Sequence, residues 1–312
     1  MSPSYREVNF NLRAAKSIER KMIAEALLRL DRLAPLNSYR YIGFGSIFFA
    51  DFLIFHRMLG ITSMLSIEEQ AANEERFRFN LPLGCVDLDF RHSNQALPTL
   101  DWSEHNIAWL DYDSQLDISI LGDVEAVAGQ TGPWSVLIVT VNAQPGKIDE
   151  RLKQLKINVS PERIPMDVTA DAHLGGWNLA KVSRRIINAA IESALADRNA
   201  PLGESEKIRF RQLFNFHYAD GPKMLTVGGI FYRTEGAASL ESCSFEELNH
   251  VAEGDRPVNV TVPVLTTREV LHLSAQLPGG EDDLASPGIP DSDLARFARM
   301  YRYYPLFIDI DL

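Results

Sequence analysis

Gly43 and Gly45, with Phe44 and Ser46 beside them, separate a short apolar run, Tyr41-Ile42, from a mostly apolar stretch reaching from Ile47 to Leu59. Glycine has no Cβ, so the chain can turn tightly there and its backbone can approach a ligand closely. The first amides of a helix that follows point at the same place. The next apolar run, Ser63-Met64-Leu65-Ser66-Ile67, ends on Glu68, 23 residues beyond Gly45. A carboxylate at that distance can accept hydrogen bonds from both hydroxyls of a ribose. Gly-x-Gly alone matches many turns. The order strand, glycine turn, helix, strand, acid is more specific, and it is the opening of a nucleotide-binding α/β unit.

Other groups could act at the same mouth. Cys85-Val86-Asp87-Leu88-Asp89-Phe90 alternates as a strand and leaves into the polar loop Arg91-His92-Ser93-Asn94. In a doubly wound sheet Asp89, His92 and Ser93 would then flank an adenine ring. Asn106-Ile107-Ala108-Trp109-Leu110 ends in Asp111-Tyr112-Asp113, whose carboxylates could take a proton from a hydroxyl or amine. Asp113 could equally cap the next helix. Arg13 and Lys16 precede the first strand, and Lys181, Arg184 and Arg185 cluster later; both sets could meet an anionic ligand or simply lie in solvent. The seven histidines show no metal-ligand spacing, so no metal is expected. No Gly-x-Ser-x-Gly elbow and no phosphate-binding Gly-Lys-Ser/Thr loop occurs, which argues against hydrolase and NTPase chemistry.

The elements that must hold these residues follow from periodicity. Ser17 could cap a helix to about Leu33, with Ile18, Met22, Ala26, Leu30 and Leu33 on one stripe. Glu69 to Asn80 reads as a polar helix, and Trp134 to Val141 as a fifth strand, apolar throughout as befits one covered on both faces. Asn142 to Lys207 contains no obvious strand and one clear helix, from about Trp177 to Asp197. Arg209 to Tyr218 and Lys223 to Tyr232 alternate on either side of Asp220-Gly221-Pro222, an antiparallel hairpin. Beyond Thr234, Val258 to Leu265 reads as a strand, Thr266-x-x-Glu269 as a capping box, Asp291 to Tyr303 as helical and Leu306 to Ile310 as a final strand.

Helix-linked strands closed by an antiparallel hairpin, with Gly43-x-Gly45 after the first and Glu68 after the second, resemble the class I methyltransferases that use S-adenosylmethionine. The resemblance spans about residues 17 to 233. It implies a doubly wound, mostly parallel α/β sheet with a terminal antiparallel hairpin, carrying an insertion at about 142–207 and followed by a C-terminal α+β extension, 234–312. It also implies that Gly43, Phe44, Gly45 and Ser46 lie along the cofactor's methionine part and that Glu68 holds the ribose. Asp89, His92 and Ser93 would stand at adenine, and Asp111, Tyr112 and Asp113 beside the sulfonium and the acceptor. The chain departs from the family pattern in having Tyr39 and Tyr41 where an acid usually precedes the glycines, and Ile47 where a third glycine is common. Asp111-Tyr112-Asp113 also lacks the Pro-Pro of the amino-methylating DNA enzymes.

Composition bounds the rest. The 312 residues are 46% hydrophobic, enough for a full core, and no apolar run approaches a bilayer span. Two cysteines and no signal-peptide pattern point to a reducing, cytoplasmic setting. The net charge is −11, of which −8 falls between Glu241 and Leu312, whereas residues 1 to 35 carry +3. This balance disfavours a broad nucleic-acid surface but leaves a local one open. The sequence therefore supports methyl transfer to an unidentified hydroxyl or amine acceptor, with Arg13, Lys16, Lys181 and Arg185 available to bind an anionic one and the acidic extension as a protein-docking face. A catalytically silent sensor of the same fold and an NAD(P)-dependent oxidoreductase are the alternatives.

Overall fold

The computed structural model describes residues 13–279 and 284–305. The chain opens with α1 (Ala14–Leu28), β1 (Arg40–Gly43), α2 (Ala50–Leu59), β2 (Ser63–Ile67), α3 (Glu74–Phe79) and β3 (Val86–Asp89). It continues with α4 (Ser93–Ala96), β4 (Asn106–Gln115), α5 (Ile118–Gln130), β5 (Val136–Asn142), α6 (Arg151–Val159) and α7 (Asn178–Asn199). The hairpin is β6 (Ile208–Ala219) and β7 (Lys223–Arg233), after which come α8 (Ala237–Glu241), β8 (Val258–Val260), α9 (Thr267–Ser274) and α10 (Asp291–Met300).

Among the described residues, eight strands form one sheet in the order β3-β2-β1-β4-β5-β7-β6-β8. β1 to β5 pair in parallel, and β7 runs antiparallel to both β5 and β6. The switch in strand order falls between β1 and β4, so a crevice opens above their carboxyl ends. β6 is antiparallel to β7, which places its end beside that crevice as well: Asn142 of β5 pairs with Met224, and Met224 with Tyr218. Two cores cover the faces. Ile18, Met22 and Leu27 of α1, with Phe52, Phe55 and Phe77, pack on Tyr41, Trp109 and Phe216 of the sheet. Leu121, Val124, Ile186 and Ile187 of α5 and α7 pack on Ile42, Leu110 and Val139 of the other face.

Several expectations shift. α1 starts three residues before Ser17, because its first free amides are satisfied from elsewhere: Asp220, in the β6–β7 turn, accepts from Ala15 N at 3.0 Å and Lys16 N at 2.8 Å. The helix expected from Ile47 is a single 3₁₀ turn followed by α2 from Ala50, with Ser46 and Phe49 both left-handed at φ 46°. Ser93 opens α4 instead of lying in a loop, and β4 runs on through Asp113. Asp113 is therefore no cap; Asp117 caps α5 by accepting from Ile120 N at 2.9 Å. α6 lies in the long segment before the hairpin, where its short, mostly polar run gave no clear periodicity. The capping box at Thr266 and Glu269 is formed. β8, beyond residue 233, adds to the same sheet beside β6. The strand expected at Leu306 to Ile310 lies outside the described residues. No described helix is long and apolar enough to cross a membrane.

Candidate active site

Gly43 closes β1 level with Ser66 of β2 and Trp109 of β4. A Cβ on Gly43 would stand 2.6 Å from the Tyr41 hydroxyl, and one on Gly45 would stand 2.5 Å from the Phe49 ring and 2.8 Å from Ser66 Oγ. Both positions thus need glycine so that the aromatic floor can close beneath the turn. Gly45 N donates to Ser66 Oγ at 2.9 Å, and Ser66 Oγ donates to Glu68 Oε1 at 2.7 Å. Glu68 also accepts from the amides of Gly45 and Ser46, so its carboxylate faces the glycine turn. It is 8% exposed, and burial pushes its pKa up to about 7 against those hydrogen bonds. A carboxylate at the end of β2, bonded to the turn at the end of β1, is the hydrogen-bond acceptor a ribose-bearing cofactor requires, and the residues present fit it.

Next to it, Phe44 meets Tyr112 edge to face, with ring centroids 5.1 Å apart. The Tyr112 hydroxyl and Ser93 Oγ both donate to Asp123 Oδ2 at 2.6 Å. Asp123 is buried on α5, and its solitary place in an apolar stripe gave the sequence no signal. Asp89 is bound by Arg91 (Nε to Oδ1 at 2.9 Å, Nη2 to Oδ2 at 2.5 Å), which holds its carboxyl below the usual range. His92 is exposed, 3.4 Å from Glu69. Ser93 and Tyr112 are thus brought together with Phe44, whereas Asp89 is committed to a neighbour.

Asp111 is not a free carboxylate. α1 carries Lys16, 1% exposed, to the end of β4, where its ammonium lies 2.9 Å from both Asp111 Oδ2 and Glu19 Oε2. The same ammonium sits 4.5 Å above the Trp109 ring and 5.4 Å from that of Tyr218. Trp109 Nε1 donates to Thr140 Oγ1 at 2.9 Å, and Thr140 shares a 2.7 Å bond with Thr226, which also meets Glu19. Burial raises the carboxyls of Glu19 and of Asp51, the latter on α2 and hydrogen-bonded by the Tyr41 hydroxyl. Arg13 precedes α1, and its charge faces the Tyr218 hydroxyl. Glu19, Asp51 and Tyr218 belong to this cluster unforeseen, because only the fold brings α1, α2 and β6 to one strand end.

Across the mouth, a cavity of about 100 Å³ lies between α6 and α7, beside Gln115 and Asn142 at the ends of β4 and β5. Nearby, Trp177 stacks on His217 at 4.8 Å, with the Lys223 ammonium 5.6 Å from the Trp177 ring. Burial, then the charges of Lys181 and Arg184, lower His217 to about 4. Lys181 is exposed, Arg185 pairs with Asp167 at 2.7 Å, and Arg184 is buried against Gln212 and Asp255. The last two cations are therefore spent within the protein. No group of three or more His, Cys, Asp or Glu among the described residues could hold a metal ion.

Parallel β1 to β5 in this order, an antiparallel hairpin after them, and an acid facing a glycine turn define a class I methyltransferase, which uses S-adenosylmethionine. The sequence model of the family described as "Putative O-methyltransferase" matches residues 8–312, and the chain belongs to that family. That membership sets the nicotinamide alternative aside. No curated protein matches the chain. Among solved structures it is similar to Trm1 from Pyrococcus horikoshii, with 8% identity, 91% of this chain and 76% of that one covered and a TM-score of 0.46. Similarity to spermidine synthase from Thermotoga maritima is 11%, with 78% and 68% covered and a TM-score of 0.42. For a "putative S-adenosylmethionine dependent methyltransferase" from Listeria monocytogenes it is 14%, with a TM-score of 0.29; 39% of this chain is covered, spanning about half (54%) of that protein. These likenesses are loose, and the family match carries the assignment.

Proposed function

We infer that the protein transfers a methyl group to an oxygen of its acceptor, with the cofactor seated between the glycine turn and Glu68. The observation that carries this reading is the Gly45–Ser66–Glu68 network at the strand-order switch. S-adenosylmethionine supplies an activated methyl group on a sulfonium. The protein's part is then alignment, exclusion of water and removal of one proton. Phe44 and Tyr112 form an apolar wall at the mouth. Asp113, exposed on the same strand as Asp111, is the carboxylate we assign to take the hydroxyl proton. The body of the acceptor fits the cavity between α6 and α7, and Lys181 and Lys223 near Trp177 favour an anionic group on it.

Isothermal titration tests the cofactor part. S-adenosylhomocysteine should bind and NAD should not, and Glu68→Ala should weaken binding by about 1–3 kcal/mol by leaving the ribose hydroxyls unpaired. Capture of label from methyl-tritiated cofactor by hydroxyl acceptors tests the transfer. NAD binding without S-adenosylhomocysteine binding would overturn the reading; tight cofactor binding without transfer to any acceptor would favour a sensor.

A further inference from the structure

We propose that Asp111, held by Lys16, receives the ammonium of the cofactor's aminoacyl end and so replaces the acid that the chain lacks before its glycine turn. This rests on the cofactor reading of the site above. The place before the glycines is filled by Tyr41, whose hydroxyl lies under Gly43 and donates to Asp51. Asp51 is thereby engaged by the Tyr41 hydroxyl. Glu19 is fully buried, and Glu68 is tied to Ser66 and the turn. Asp111, 27% exposed, is the most open of these four carboxylates. It lies two residues beyond Trp109, which pairs with Gly43, so it stands at the rim of the turn.

Charge points the same way. Within the trio one buried ammonium faces two carboxylates at equal distance, while the charge of Arg20 acts on Asp51. Burial raises the Glu19 carboxyl against the lowering charge of Lys16, so Glu19 competes weakly for that ammonium and leaves it to Asp111. Lys16 takes Oδ2 alone, so the carboxylate keeps acceptor capacity on its other side. A cationic amine bound there would be held by a charge-assisted hydrogen bond. The acceptor's proton then falls to Asp113, two residues further along the strand and exposed.

The test uses ligands of defined chemistry and needs no acceptor. S-adenosylhomocysteine, its analogue lacking the amino group, its decarboxylated analogue and 5′-methylthioadenosine are titrated calorimetrically into wild type, Asp111→Asn and Glu68→Gln. Wild type should lose about tenfold or more when the amino group is removed and only a few-fold when the carboxylate is. Asp111→Asn should lose that discrimination and keep its affinity for methylthioadenosine. Glu68→Gln should weaken S-adenosylhomocysteine and methylthioadenosine alike. Wild-type indifference to the amino group, or discrimination that persists in Asp111→Asn, overturns the proposal alone. If Asp111→Asn fails to fold, Asp111→Glu takes its place, and wild-type indifference to the amino group still overturns the proposal. If neither S-adenosylhomocysteine nor methylthioadenosine binds, the cofactor reading falls first and the proposal with it.

Discussion

Glu68 couples the candidate site to pH. Its ordinary value is 4.5, and burial in the folded protein moves it to about 7. Between those values the folded chain holds a proton that the unfolded chain has released. Its contribution to the stability of the ligand-free protein is therefore fully present below pH 4.5 and is lost as pH rises to about 7. Ribose hydroxyls donate best to the ionised carboxylate, so binding should expel the proton. The affinity for S-adenosylhomocysteine is expected to rise with pH up to about 7 and then level. Calorimetry at pH 6.5 in buffers of different ionisation enthalpy should show proton release, and Glu68→Gln should abolish it. Buffer-independent heats in wild type would show that Glu68 binds nothing that needs its charge. At this scale the sequence was legible where spacing along one strand–turn–strand path decides position, as for Gly43, Gly45 and Glu68. Asp51, Asp123 and Glu19 were not legible, since their partners Tyr41, Tyr112 and Lys16 meet them only across packed elements.

Among the elements, α1 draws the support for its start from far along the chain. Arg13 offers no side-chain cap, and the amides of Ala15 and Lys16 are both taken by Asp220, more than 200 residues away. The carboxylate also lies at the positive end of the helix dipole. Asp220→Ala should lower stability by about 1–2 kcal/mol, seen as a lower urea midpoint, and speed amide exchange in the first turn of α1. Because Lys16 lies in that turn, affinity for S-adenosylhomocysteine should fall as well. Unchanged exchange at Ala15 and Lys16 would mean that the contact adds nothing. The stripe of Ile18, Met22 and Ala26 made α1 predictable as a helix, but a cap from a distant hairpin turn leaves no local trace. The same limit applies to α6, whose two buried residues, Leu155 and Val159, are too few to set a period.

For the whole molecule, the question is whether the segment after residue 233 is an appendage or a part of the core. The run of strands and the hairpin were readable because each strand is an apolar or alternating run. The place of β8 was not, since three residues carry no register of their own. In the fold, β8 covers the β6 edge, and Leu240, Cys243, Phe245, Val260, Met300 and Tyr303 lie in the same core as Tyr41 and Trp109. α1 is tied to this segment by polar bonds too: Lys21 Nζ donates to the Tyr303 carbonyl at 2.9 Å, Arg29 to that of Cys243 at 3.0 Å, and Arg302 pairs with Glu25 at 2.7 Å. A chain ending at Arg233 would bare the outer face of α1, the β6 edge and a large apolar area together, and exposed edges and patches of that kind drive association. The truncated chain is expected to aggregate or to unfold without a cooperative transition, and to bind no adenosyl ligand. A soluble 1–233 protein that melts cooperatively and binds S-adenosylhomocysteine with wild-type affinity would show instead that the fold is complete at the hairpin.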